Sequence, residues 1–386
     1  MTTPAPTTRP LRIGIAGAGL LGRLLAFSLS RAGHRVEVHD PAAGPEARGA
    51  AGWTAAGMLS PLAELESADE RVFRWGLRSI DLWPQILSAL PAPVEFRCDG
   101  SLLVAHREDA GAARRVLDVL AHKAPAGHAA QPMSAAGLAQ LEPALRSGLH
   151  AWLLPGEGRI HTVQAMAALA ARSTGGPGVD WHWGSSVAAA EPGRLLLPGG
   201  PAAFDWVFDV RGVGARPQLS VRGVRGEIFW LQAPGLGLCR PVRLLHARHR
   251  VYLVPRAPDI VVVGASEIES EDRSPVSLRS TVELLAAAHS IVPALAEARI
   301  VHSETNLRPA LPDNLPCIEV QPGLVRINGL FRHGWLIAPG LVETALETAF
   351  GITFGTPSGT AFGITLGATF NSPCAHPAGT LQETLS

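Results

Sequence analysis

Leu11-Arg-Ile-Gly-Ile-Ala-Gly-Ala-Gly-Leu-Leu-Gly22, continued by Arg23-Leu-Leu-Ala-Phe-Ser-Leu-Ser-Arg-Ala-Gly33 and Arg35-Val-Glu-Val-His-Asp40, is the stretch that decides the fold. Residues 11–16 are a short apolar run of the kind that forms a buried parallel strand. A G-x-G-x-x-G follows at once, then a helical pattern that stops at Gly33, where a C-terminal glycine belongs. Residues 35–39 read as a second strand, closed by Asp40. Gly17 permits the tight turn, Gly19 lets backbone amides approach a pyrophosphate, and Gly22 lets helix and strand pack closely. Leu20 and Leu21 open the helix, whose N-terminal amides and partial positive charge suit phosphates. Asp40 stands 23 residues after Gly17, placed to accept hydrogen bonds from ribose hydroxyls. The order predicts a Rossmann-like dinucleotide-binding unit, and the motif leaves NAD and FAD both open.

Farther along, helical spacing predicts helices over 69–90, 162–172 and 277–290, the last with Ser277 as N-cap. Residues 94–104 read as strands around the Cys98-Asp99-Gly100 turn. Strands 204–210, running into Arg211-Gly-Val-Gly214, and 324–328, running into Gly329, suggest that the nucleotide domain resumes twice. Between them, 226–265 is β-rich. The predicted class is therefore α/β: a nucleotide-binding domain of residues 11–90, 148–218 and 304–347, interleaved with a β-rich substrate domain of 91–147 and 219–303. Ligands favour such interfaces.

Composition excludes several functions. The chain has 386 residues and zero formal net charge, so the footprint of a nucleic-acid binder is missing. Lys123 is the single lysine and sits in no G-K-[ST], which removes a P-loop and leaves no convincing Schiff-base lysine. Cys98, Cys239, Cys317 and Cys374 are isolated, so neither a disulfide scaffold nor a metal cluster is expected. In the sequence no carboxylate or cysteine accompanies His246-Ala-Arg-His249 at metal-ligand spacing, so it reads as a basic hairpin edge. Arginines between Arg211 and Arg256 alternate with apolar residues, which suits an interdomain role better than RNA. The Thr/Pro-rich opening lacks the apolar run of a leader, so a cytoplasmic protein is expected. Residues 348–386 form an atypical low-complexity tail with a near-repeat, too broken by Gly, Thr, Ser and Pro for a membrane span.

Taken together, several motifs in order make the chain resemble the FAD-dependent glycine oxidase/D-amino-acid oxidase family. They are Gly17–Gly22 with Asp40, Thr54-Ala-Ala-Gly-Met-Leu-Ser60, Arg222-Gly-Val-Arg-Gly-Glu227 and Val251-Tyr-Leu-Val-Pro-Arg256. Asn306-Leu-Arg-Pro-Ala-Leu-Pro-Asp313 and Asn328-Gly-Leu-Phe-Arg-His-Gly-Trp-Leu-Ile-Ala-Pro339 continue the match, over roughly residues 11–347. The resemblance implies non-covalent FAD; Cys317 falls beyond the place where relatives attach flavin. It implies that Thr54, Ala55, Ala56, Gly57, Met58 and Leu59 pass beside the flavin. Gly329, His333, Gly334, Trp335, Leu336 and Ile337 would lay backbone amides and a helix N-terminus near its ring. Arg211-Gly-Val-Gly214 departs from the more usual Ala-Ala-Gly of the wider superfamily.

By the same resemblance, Arg308 receives the substrate α-carboxylate, Tyr252 reaches it through the only tyrosine hydroxyl, and Arg332 is a further pocket candidate. A guanidinium meets a carboxylate bidentately, which a lysine does poorly. The implied reaction is oxidative deamination of glycine, sarcosine or small D-amino acids, with O2 reduced to H2O2. The implied setting is thiamin biosynthesis, and a homotetramer is the family's suggestion. The alternatives are a D-amino-acid dehydrogenase that feeds a quinone or carrier, and an inactive flavin-binding protein.

Overall fold

The computed structural model describes residues 9–171, 178–246 and 250–350. The first eight residues, Arg172, His249 and the tail beyond 350 lie outside the described residues.

The opening apolar run forms the strand Arg12–Ala16, in which Ile13, Ile15 and Ala16 are fully buried. Strands buried on both faces read as near-continuous apolar runs. Ile13 pairs in parallel with Val36 on one side and Trp206 on the other. The six-stranded sheet runs Cys317–Gln321, Leu324–Asn328, Trp206–Asp209, Arg12–Ala16, Arg35–Asp40, Val179–Trp183. Only Cys317–Gln321 is antiparallel to its neighbour. Three widely separated pieces of sequence thus rejoin in one sheet, as the two later strands ending in glycine suggest.

Helices Leu20–Arg31 and Gly334–Phe350 share a core with that sheet, where Leu24, Leu25, Leu341 and Val342 are fully buried. The helix Glu70–Ser88, N-capped by the Asp69 carboxylate, packs on Gly334–Phe350. A three-stranded meander spanning residues 189–203 closes a second cluster with Ala16, Phe204 and Val207.

The β-rich domain is an eight-stranded sheet. Its order is Arg299–Ala310, Arg222–Gln232, Ile260–Gly264, Arg250–Arg256, Val242–Leu245, Ser101–Ala105, His150–Leu154, Gln131–Pro132. The helix Leu278–Ile291 begins where expected, with Ser277 accepting from the Ser280 amide. Two details differ from the sequence reading. The strands on either side of Cys98-Asp99-Gly100 join different sheets, Phe96–Arg97 against Gly158–Ile160 and Ser101–Ala105 in the large sheet. Position 304 falls inside the strand Arg299–Ala310, which runs along Arg222–Gln232 as far as Ala310 opposite Arg222. Pro309 looks like a break in sequence, but this is an edge strand, where a missing N–H is tolerated. Arg308 is therefore delivered by the β-rich sheet. Among the described residues no helix is long and apolar enough to cross a membrane.

Candidate active site

A cavity of about 1010 Å³ runs from the turn after Arg12–Ala16 to the face of the large sheet. Its first end is built by the glycine turn. Gly17 has φ +104°, and a Cβ on Gly22 would lie 1.8 Å from the Gly17 carbonyl oxygen, so only glycine fits there. Gly22 packs behind the cavity, while Gly17, Gly19, Leu20 and Leu21 line it. Gly19, as N-cap, offers no side chain to the helix amides, which leaves them for an anion. Asp40 also lines this end and accepts the amides of Ala18 (2.6 Å) and Ala42 (2.8 Å). Its carboxylate therefore braces the turn as well as facing the cavity.

Two arginines here escape a sequence reading. Arg23 looks like the polar face of a helix but is 1% exposed. It donates to the carbonyls of Ala18, Pro45 and Met166 and lies near the Trp53 and Trp183 rings. Burial pushes its pKa down to about 10, so it keeps its charge at neutral pH. Arg211 spends its guanidinium on Asp209, at 2.8 Å from Nε and Nη2.

In the middle of the cavity, Thr54, Ala55, Ala56, Gly57 and Met58 line one wall, whereas Leu59 is fully buried in the core. Gly57 has φ +85°, and a Cβ there would meet the Ile160 carbonyl oxygen at 2.0 Å. Beside this segment, the chain leaves Leu324–Asn328 through Gly329 (φ +74°) and starts the helix Gly334–Phe350 at the cavity, with Trp335 Nε1 donating to the Gly52 carbonyl at 3.0 Å. His333, Gly334, Trp335 and Leu336 line it; Gly329 and Ile337 stand behind, shaping the turn and filling the core. These features fit a dinucleotide with a planar ring. The tight turn that shapes the first end tolerates no Cβ at Gly17 or Gly22, one helix leaves free amides at that end, and a second helix starts at the cavity farther along.

Tyr252 and Arg308 meet at the far end, each lying over a glycine on a strand between them. A Cβ on Gly264 would be 2.8 Å from the Tyr252 hydroxyl, and one on Gly226 would be 2.5 Å from Arg308 Cζ. Arg308 Nη1 donates to the carbonyls of Arg225 (3.3 Å) and Ser266 (3.0 Å). No carboxylate among the described residues forms an ion pair with it. Burial pushes the Arg308 pKa down and the Tyr252 phenol up; the charge of Arg308 opposes the latter shift.

Arg332 is placed differently. Its Nε and Nη2 lie 2.9 Å from Glu64, and Nη1 lies 3.5 Å from Glu267. The same Glu64 carboxylate takes Arg243 and stands 3.0 Å from His333 Nδ1. Burial pushes Glu64 up, but Arg332, Arg243 and His333 together hold it well below the usual carboxylate range. Arg332 is thus already neutralised, and Arg308 is not. Glu64 and Arg243 carried no sequence signal, each being one of several charges in its stretch.

Among the described residues, Glu37, His39 and His182 approach one another closely enough to suggest metal ligands. The His39 and His182 rings stack nearly parallel (7°, centroids 4.4 Å), so their nitrogens do not converge, and Glu37 is already bound by Arg12 at 2.7 Å.

A glycine-turn βαβ unit, a long cavity and a cationic far wall define a dinucleotide-dependent oxidoreductase. The chain belongs to the FAD dependent oxidoreductase (DAO) family, which it matches over residues 12–347. It is 37% identical over 340 residues to the Rhizobium etli protein named for thiamine biosynthesis, ThiO, covering 86% of this chain and 94% of that one. It is 27% identical to a glycine oxidase of Geobacillus kaustophilus, over 85% of this chain and 89% of the relative. The crystal structure of glycine oxidase from that organism superposes with a TM-score of 0.75, at 26% identity, covering 88% and 94% of the two chains. The protein is therefore an FAD-dependent oxidoreductase of the glycine oxidase type.

Proposed function

We propose that the protein oxidises glycine, or a comparably small amino acid such as sarcosine or a small D-amino acid. O2 is the electron acceptor and H2O2 a product. The observation that carries this reading is the unpaired guanidinium of Arg308 beside the Tyr252 hydroxyl at the cavity wall. Arg308 receives the α-carboxylate and Tyr252 donates a second hydrogen bond to it, which together fix the substrate's orientation. Bound FAD supplies the acceptor for the hydride leaving the substrate Cα. Arg332, already paired with Glu64, does not compete for the carboxylate.

Gly17, Gly19 and the N-terminus of the Leu20–Arg31 helix would hold the pyrophosphate of FAD, and Asp40 its ribose. The Thr54–Met58 wall and the start of Gly334–Phe350 would hold the ring. From glycine, the imine product hydrolyses to glyoxylate and ammonia or passes to thiazole synthesis in a cytoplasmic thiamin pathway. The similarity to ThiO supports the latter. Purified holoenzyme supplied with glycine under air should release peroxide in step with glyoxylate. Turnover only with an added quinone or dye would replace the oxidase reading by a dehydrogenase.

A further inference from the structure

Arg256 is 4% exposed and lies outside the lining of this cavity, yet it is tied to the Thr54–Met58 wall. Its Nη2 donates to the carbonyls of Ala55 (3.1 Å) and Ala56 (3.2 Å) and to Thr162 Oγ1 (2.8 Å). Thr162, fully buried, donates in turn to the Ala55 carbonyl at 2.8 Å. The guanidinium lies over the Trp230 ring at 4.8 Å, and its Nε and Nη1 are buried without a hydrogen-bond partner. No carboxylate among the described residues forms an ion pair with it. Burial lowers its pKa to about 10, which leaves it cationic at neutral pH.

A buried charge with unmatched N–H groups is costly. Its position shows what it acts on. A trans peptide directs its N–H opposite to its C=O. The two carbonyls held by Arg256 belong to the peptides whose N–H groups are those of Ala56 and Gly57. Neither amide meets an acceptor among the described residues, and both residues line the cavity. The charge thus stands at the carbonyl ends of two aligned peptide dipoles whose amide ends face the cavity.

We propose that Arg256 is a positioning residue that tunes the cofactor: through these two peptides it favours the extra electron density of reduced flavin, raising its midpoint potential. The proposal rests on the reading that the Thr54–Met58 wall flanks the flavin ring, and it does not depend on which amino acid is oxidised. Local dipoles and charges act strongly in a site of low dielectric.

The test uses FAD-replete holoenzyme and two readouts that need no turnover: the flavin midpoint potential and the dissociation constant for sulfite. Arg256→Met keeps the stem against Trp230 and removes the charge. It should weaken sulfite binding about tenfold, equivalent to about 30 mV for a two-electron couple, and lower the potential. Arg256→Lys should retain most of both values. Should Arg256→Met fail to hold FAD, Arg256→Gln, an uncharged donor, is read in its place. A purely structural role would lower the melting temperature and leave both readouts where they are, overturning the proposal. Equal losses in the Lys and Met variants would also overturn it, because charge would then not be the cause. Met58→Lys, which puts a charge in the wall itself, separates the two possible failures. If it moves the potential while Arg256→Met does not, the role of Arg256 is wrong. If neither moves it, the wall is not at the flavin and the proposal falls with that reading.

Discussion

A guanidinium with only carbonyl oxygens as partners is half of an ion pair, and Arg308 supplies that half where the cavity meets the large sheet. Its neighbour Arg332 shows the contrast: with Glu64 at 2.9 Å, its charge is already answered. The difference supports our proposal that Arg308 takes the substrate carboxylate, and it makes the two arginines separable by mutation. Arg308→Met should reduce kcat/KM about a hundredfold, as expected when one partner of a buried charge pair is removed. Arg308→Lys should recover only part of that loss, since an ammonium lacks the planar fork. Tyr252→Phe should raise KM about tenfold, the cost of one hydrogen bond to a charged group. All three variants should keep stoichiometric FAD by absorbance; a Tyr252→Phe enzyme with unchanged KM would remove the hydroxyl from the site. The sequence singled out Arg308 and Tyr252 because motifs surround them. It could not show that Arg332 is neutralised, because Glu64 lies 268 residues away in the chain and meets it only in the fold.

At the scale of the element, the short turn Pro61–Glu64 carries Glu64 into the site, and beneath it lies another buried carboxyl. Glu157 is 1% exposed and accepts the Ala63 amide (3.0 Å) and the Ser101 hydroxyl (2.5 Å). Burial pushes its pKa up to about 7, against an ordinary 4.5. The folded state then holds this proton more tightly than the unfolded chain does. Its contribution to stability is complete below pH 4.5 and is lost as pH rises through 7. The loss amounts to about 3 kcal/mol by pH 8. Glu64, held below the usual range, adds no slope in that window. Glu157→Gln keeps a neutral side chain and removes this one component, so the stability of the variant relative to the parent, read from denaturant midpoints, should rise between pH 5 and 8 and exceed it at pH 8. Parallel profiles for variant and parent would mean that Glu157 is ionised in the fold. The elements themselves were largely legible. The G-x-G-x-x-G unit, the helices near 69–90 and 277–290, and the strand–glycine returns all form where periodicity and caps put them. What was hidden is pairing across long separations: Phe96–Arg97 and Ser101–Ala105 look like neighbours and join different sheets.

Across the whole molecule, two sheets divide the work. The parallel sheet presents helix N-termini and glycine turns to a dinucleotide, and the large sheet presents Arg308 and Tyr252. Gly226 and Gly264 make that second task possible, because side chains there would occupy the space of the guanidinium and the phenol. A reader of the sequence sees glycines in β-rich stretches and has no means of knowing which neighbours lie over them. The division also explains why no compact catalytic triad is present in the sequence. The cofactor carries the chemistry, and the chain orients the substrate against it. The decisive measurement is an anaerobic titration of the holoenzyme with glycine, following the oxidised flavin absorbance. We expect bleaching that saturates with glycine in the parent protein and requires far more glycine in Arg308→Met. A flavin that stays oxidised with glycine, sarcosine and D-alanine alike would contradict the amino-acid oxidase reading.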